Sequence, residues 1–258
     1  MNLSDITASI KASTLLNGRA NTATSTSNTS ATATDPIAKA LANADKRVQQ
    51  QLDATTAQLS SFGKLKSAFA DVQSTAKALS SPKAGATDAD ISQAATDFVK
   101  AFNTALKTAQ TNQTQATSTQ EVTGTRRAET DLRRVLGNDR SLSSSLKSIG
   151  ITSQADGSLA LDASKFQAAT QANATTLRTT VAKLGQQSQA VATRELADNG
   201  NVGSALKTLT SQSNSLKARQ SQQQSALASF QQFANTQNTT FGKQNGLATY
   251  NSIYAGFK

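Results

Sequence analysis

The sequence predicts a mainly α-helical protein: long terminal helices able to pair as a coiled coil, a helical bundle between them, and one short β-hairpin at about residues 151–161. Three observations carry that expectation. Large apolar side chains arrive singly, at alternating steps of three and four, which places them on one face of a helix. One stretch departs from that spacing, with short alternating segments on either side of Ala155-Asp156-Gly157, the pattern of two strands joined by a tight turn. Only 36% of the 258 residues are apolar and none is Trp, a supply that suits narrow seams between helices better than a thick interior.

Residues 1–35 are read as a flexible segment, because 17–34 carry one charge and no large apolar side chain to offset the entropy of ordering. Asp35-Pro36 then starts a helix sharply: Asp35 suits the cap, and Pro36 fits the first turn, where a missing N–H costs nothing. The helix expected over 36–80 carries the seam Ile37, Leu41, Ala44, Val48, Leu52, Thr55, Leu59, Phe62, Leu65, Phe69, Val72, Ala76 and Leu79, with a possible bend at Gly63. Ser80-Ser81-Pro82 closes it.

Residues 81–205 are expected to form a helical domain containing the hairpin. Asp90 is read as the cap of a helix that shows Ile91, Ala94, Ala95, Phe98, Val99, Phe102 and Leu106 on one side. Polar Thr108 to Gln120 reads as a loop or weak helix end. Ala128 to Ile149 reads as two short helices meeting at Gly137-Asn138. Beyond the hairpin, Asp162 caps a helix from Ala163 to about Ala172 that ends near Asn173.

Residues 206–258 form a C-terminal heptad helix and an apolar tail. Leu206, Leu209, Ser213, Leu216, Gln220, Gln223, Leu227, Phe230, Ala234, Gln237 and Phe241 keep a three-four rhythm without a slip, and such a register implies a partner helix. Ser and Gln in the seam weaken the pairing and suit one that adjusts. After Gly242 and Gly246 come Leu247, Tyr250, Ile253, Tyr254 and Phe257. An apolar chain end needs a surface to bury against, either the chain's own N-terminal helix or a neighbouring subunit. The candidate subunit and partner contacts are therefore Ile37, Leu41, Val48, Leu52, Leu59, Leu206, Leu209, Leu216, Leu227, Phe230, Phe241, Leu247, Tyr250, Ile253, Tyr254 and Phe257.

Composition argues against catalysis. There is no His and no Cys, so an imidazole base, a thiol nucleophile, the usual zinc ligand sets and a disulfide framework are all excluded. No Gly-rich phosphate loop or metal-ligand cluster is present, and the expectation is a non-enzyme without cofactor, metal or catalytic residue. The net charge of +10 is spread out, and the densest basic run, Arg126 to Arg140, is interleaved with Glu129, Asp131 and Asp139. A mixed-charge helix face explains it better than a nucleic-acid stripe. No run of about 18 apolar residues and no basic-then-apolar leader is visible, so neither membrane insertion nor a cleaved signal peptide is expected.

Several segments resemble one family, the flagellar filament-capping proteins, also called flagellar hook-associated protein 2. Leu59-Ser60-Ser61-Phe62-Gly63-Lys64-Leu65-Lys66-Ser67-Ala68-Phe69 is similar to the family's N-terminal helix. Phe98-Val99 and Phe102-Asn103 resemble the helix that resumes its stalk domain. The most specific match is Ile149-Gly150-Ile151-Thr152 followed by Asp156-Gly157-Ser158-Leu159-Ala160-Leu161-Asp162, close to the family's helix, hairpin and helix signature. Together the matches span most of residues 40–241 in the family's order.

The resemblance implies a coiled-coil leg built from the terminal helices, a helical stalk domain, and several copies joined in a ring-like homo-oligomer at the filament tip. It implies flagellin as partner, with junction hook-associated proteins and an export chaperone as further candidates, and an extracellular location reached by type III export. The family's large β head is missing, because only a short loop separates Leu79 from Ile91. A hook–filament junction protein, a flagellin-like subunit or a needle-tip protein is the alternative, against which the hairpin signature argues.

Overall fold

A proline whose N–H is absent can only open a helix, and in the computed structural model the first helix, α1, spans Pro36–Ser80. The structure describes the backbone of residues 36–255 apart from 83–84, 117 and 138, and side-chain surroundings for most of 39–232. The flexible segment expected over 1–35 lies outside the described residues. After α1 come α2 (Asp88–Gln115), α3 (Thr119–Gly137), α4 (Arg140–Ser148), β1 (Ile151–Ser153), β2 (Leu159–Leu161), α5 (Ala163–Leu196) and α6 (Asn201–Ala255). The fold is mainly α with one hairpin, as the spacing indicates. Two compact units are distinguished, one of Ala44–Ser225 and one of Met1–Asn43 with Ala226–Lys258.

The larger unit owes its core to seams that converge. On α1 the residues Phe62, Leu65, Phe69, Val72, Ala76 and Leu79 are all buried, and they join Ile91, Phe98, Phe102, Leu132, Leu142, Phe166, Leu177, Leu184 and Val202 in one cluster. Each fully buried Phe or Leu contributes about 1.5–3 kcal/mol, so a chain poor in large side chains can still hold a bundle if they all point one way. The sequence expectation of thin seams is corrected here: residues from all six helices share one interior. Gly63 sits inside an uninterrupted helix. The bend it could have allowed is not used.

Close approach explains one small residue. At Gly185 of α5, an added Cβ would lie 2.5 Å from the Ala76 carbonyl oxygen and 2.7 Å from the Ser80 backbone nitrogen, both atoms of the α1 backbone. Only glycine lets α5 lie this close to the end of α1.

Local chemistry sets the boundaries, and several differ from the sequence expectation; α3, for one, begins at Thr119 and not at Ala128. Thr87, rather than Asp90, caps α2: its Oγ1 accepts from the Asp90 N–H at 3.2 Å, while Asp90 Oδ2 accepts from the Thr87 N–H at 2.8 Å. This is a reciprocal capping box, with Asp90 as its partner in the first turn. The polar run after Thr108 stays helical to Gln115, because Ala109 and Asn112 are buried and Asn112 Nδ2 donates to the Ser61 carbonyl at 2.8 Å. At Asn173 the helix that starts at Ala163 ends as expected and a second begins, so α5 is two helical runs joined at a kink. That residue leaves helical geometry, and its Oδ1 then accepts from the Thr176 N–H at 2.9 Å, recapping the run to Leu196.

The expected cap at Asp162 is present and Asp139 caps α4 in the same way, their Oδ1 atoms accepting from the Lys165 and Leu142 N–H groups at 3.0 and 2.9 Å. Lys183, at 2.7 Å, and the Leu142 N–H hold the Asp139 carboxyl below its ordinary range.

The hairpin pairs antiparallel in the register Ile151↔Leu161, Thr152↔Ala160 and Ser153↔Leu159. Its loop is a turn closed by Gly157 N–H to the Gln154 carbonyl at 2.9 Å, with Gly157 at φ +84°, a left-handed position that glycine fills without strain. Asp156 Oδ1 accepts from the Ser158 hydroxyl at 2.6 Å and its N–H at 2.9 Å. These two bonds lower the Asp156 carboxyl, the hydroxyl's more than the amide's.

Asn103 docks the hairpin onto α2. Its Nδ2 donates to the Leu159 carbonyl and its Oδ1 accepts from the Leu159 N–H, both at 2.8 Å, so one amide side chain pairs with the outer edge of β2 as a neighbouring strand would. Asn103→Ala leaves both groups unpaired at a half-buried edge and is expected to cost about 1–3 kcal/mol. Urea unfolding of the purified chain checks this; an unchanged midpoint would remove the docking role.

Candidate assembly surface

Helix α6 presents the residues expected to make contacts, and the first part of it belongs to the larger unit. Val202 is in the bundle core, while further along Gln220 Nε2 donates to Gln49 Oε1 of α1 at 2.6 Å. Since α1 enters the core from Phe62 onward, the two helices run in opposite directions.

Burial along α6 follows the heptad rhythm. Ser213 and Leu216 are buried, Leu206, Leu209, Gln220 and Gln223 are half-buried, and Lys207, Thr208, Ser211, Lys217 and Arg219 between them are exposed. On α1, Val48 and Thr55 are buried, and Leu52 and Leu59 are half-buried. Leu206 and Leu209 rest on the edge of the bundle core. Within this unit the chain itself thus brings together Val48, Thr55, Ser213 and Leu216, and leaves its other apolar seam residues partly uncovered.

The pairing is polar and imperfect. Thr55 Oγ1 turns back to the Gln51 carbonyl at 2.8 Å. Asp45 Oδ1 and Gln223 Oε1, just beyond the Gln49–Gln220 pair, are enclosed without a hydrogen-bond partner. An enclosed polar atom left unpaired costs about 1–3 kcal/mol, so this stretch binds more weakly than an all-apolar seam of the same length.

The smaller unit carries half-buried Leu41, Leu227 and Phe230. Ile37, Phe241, Leu247, Tyr250, Ile253 and Tyr254 have helical backbone, with side chains outside the described residues, and Phe257 lies outside them altogether. Gly242 and Gly246 lie inside the helix, which continues into the tail. Each costs a helix only about 0.5–1 kcal/mol relative to Ala, and α6 runs to Ala255.

One cluster beside this surface had no sequence signal. Glu129 of α3 accepts from Arg133 Nε and Nη2 at 2.9 and 2.6 Å and from the amides of Gln113 and Gln110. Burial alone would raise its carboxyl, but the bonds from Gln113 and Arg133 outweigh that and hold it low. The Arg133 guanidinium also lies against Gly157, where an added Cβ would come 2.6 Å from Nη1. Glu129 and Arg133 therefore tie α2, α3 and the hairpin turn together, which is a structural use of the densest charge run.

Among the described residues no group of three or more acidic, His or Cys side chains could hold a metal, and no helix is long and apolar enough to cross a membrane. An open groove of about 410 Å³ runs between the end of α1 and the middle of α5. Its cation, Arg178, is engaged by Asp88 at 2.9 Å and the Ala86 carbonyl at 3.2 Å. What remains is the set of half-covered helix faces on α1 and α6. The family described as flagellar hook-associated protein 2 C-terminus matches residues 86–250. No curated protein and no solved structure matches the chain.

Proposed function

The chain belongs to the flagellar hook-associated protein 2 family, structural components of the bacterial flagellum, and on that basis we propose that it caps the distal end of the filament and promotes flagellin polymerisation there. Several copies form a ring-like homo-oligomer, and flagellin subunits emerging beneath it fold and join the filament. Hook-associated junction proteins and an export chaperone are its further partners, and it reaches the filament tip by type III export. The contact residues are those of the terminal seams: Ile37, Leu41, Val48, Leu52 and Leu59 on α1, and Leu206, Leu209, Leu216, Leu227, Phe230, Phe241, Leu247, Tyr250, Ile253, Tyr254 and Phe257 toward the C-terminus.

The observation that carries this reading is the burial rhythm of α6, whose seam residues are shielded more than their neighbours while Leu206, Leu209, Gln220, Gln223, Leu227 and Phe230 stay only half covered by their own chain. A seam with Gln49, Gln220 and Gln223 in it can part and re-form at small cost, as a cap must when each new subunit is added.

Deletion of the gene in the bacterium that encodes it tests the proposal. Monomeric flagellin should accumulate in the medium and swimming should fail, with rescue by the intact gene. Filaments of normal length in the deletion strain would overturn it.

A further inference from the structure

Glu195 is an acid in an unusual place. It sits in the last turn of α5, almost wholly buried at 1% exposure, and both of its oxygens accept from Asn201 Nδ2, at 3.0 and 2.9 Å. Asn201 is the first residue of α6. A buried carboxylate with a single neutral donor is poorly compensated, and its other neighbours divide in sign. Asp131 of α3 lies within hydrogen-bonding reach. Arg194 stands beside both acids, with Nη2 3.2 Å from Asp131 Oδ2 and Nε only at 4.0 Å from Glu195 Oε1. Arg134 takes the other Asp131 oxygen at 3.2 Å. The nearby Lys207–Asp198 pair, at 3.7 Å, is exposed.

Two carboxyl groups this close, one of them buried, are more stable with a proton between them than with two charges. We infer that Glu195 keeps a proton in the folded chain and donates it to the Asp131 carboxylate, that this bond latches the first turn of α6 to the ends of α5 and α3, and that loss of the proton loosens the latch. Glu195–H donates to Asp131 while its carbonyl oxygen accepts from Asn201, so every polar atom at the corner is engaged. Deprotonation removes the bond to α3 and sets two like charges side by side.

Burial first, and Asp131 second, push the Glu195 carboxyl above the ordinary glutamate value of 4.5, against the pull of Asn201 and Arg194. The direction fixes the sign. The folded chain holds a proton that the unfolded chain has already released, so the stabilisation is complete below pH 4.5 and is lost as pH rises through the folded value.

The test uses the full chain and hydrogen exchange of the amides of residues 202–206, each divided by the exchange of core amides in α2 at the same pH. In the wild type, relative protection of the α6 start should fall roughly tenfold for each unit by which the Glu195 value is raised, between pH 4.5 and the folded value. Glu195→Gln, which keeps an acceptor for Asn201 and a donor for Asp131, should be flat across that range. Asp131→Asn, which removes the second charge, should shrink the fall. A wild type with no fall, or a fall that survives Glu195→Gln, overturns the latch. Should Glu195→Gln not fold, Asp131→Asn decides: a smaller fall supports the pair, an unchanged one overturns it.

Discussion

Phe102→Ala is expected to remove about 3–5 kcal/mol of stability, the cost of deleting a large side chain from a site that cannot collapse around the gap. Phe102 has no exposed surface, its ring centre lies 5.9 Å from that of Phe98 at a tilt of 49°, and residues of α1, α3 and α5 complete the cluster. Such a loss is a large share of the ~5–15 kcal/mol that holds a typical protein together. Urea unfolding at neutral pH should show the midpoint fall with the slope kept. A change below about 1 kcal/mol would mean that α2 is not at the centre of the interior.

The double substitution Leu227→Ser with Phe230→Ser should do the opposite, sparing the bundle and abolishing assembly. Both residues lie in the smaller unit, where they are half-buried, and neither contributes to the core cluster. The unfolding midpoint of the bundle should therefore move by no more than about 0.5 kcal/mol. If the proposed contacts bury these side chains fully, each contributes about 1.5–3 kcal/mol, and losing both weakens every subunit contact by two or more powers of ten. Sedimentation of the purified variant and its failure to restore swimming to the deletion strain check this. An oligomer of unchanged size, with swimming restored, would exclude these two positions from the contact surface.

Helix placement was legible wherever a single physical cause acted along the chain. Phe62 to Leu79 is an apolar stripe in the sequence and a buried stripe in the fold, and the Asp162 cap and the Asp156-Gly157 turn work through atoms no more than a few residues apart. The errors share a different cause. Thr108 to Gln115 looked too polar for a helix, but Asn112 is held by Ser61, 51 residues away. Asn173 does end one helical run, but it also caps the next through the Thr176 N–H, and spacing alone does not show the run to Leu196.

The candidate surface divides in the same way. The three-four rhythm of α6 is a property of one helix, so its seam positions could be named from spacing alone. How far each is covered depends on which helix lies opposite, and that is a matter of the fold.

The sequence by itself determined the mainly helical class, the hairpin and its turn, the seam residues of both terminal helices and the absence of His and Cys chemistry, because each follows from residue identity or from contacts between neighbours in the chain. Only the tertiary structure decided that Asn103 serves β2 as a strand would, that Gly185 admits the backbone of α1, that Glu129 and Arg133 bind three elements together, and that Glu195 is buried beside Asp131. Those roles depend on atoms that lie far apart along the chain. Burial and hydrogen bonding acquire their energies only when folding removes water from between them.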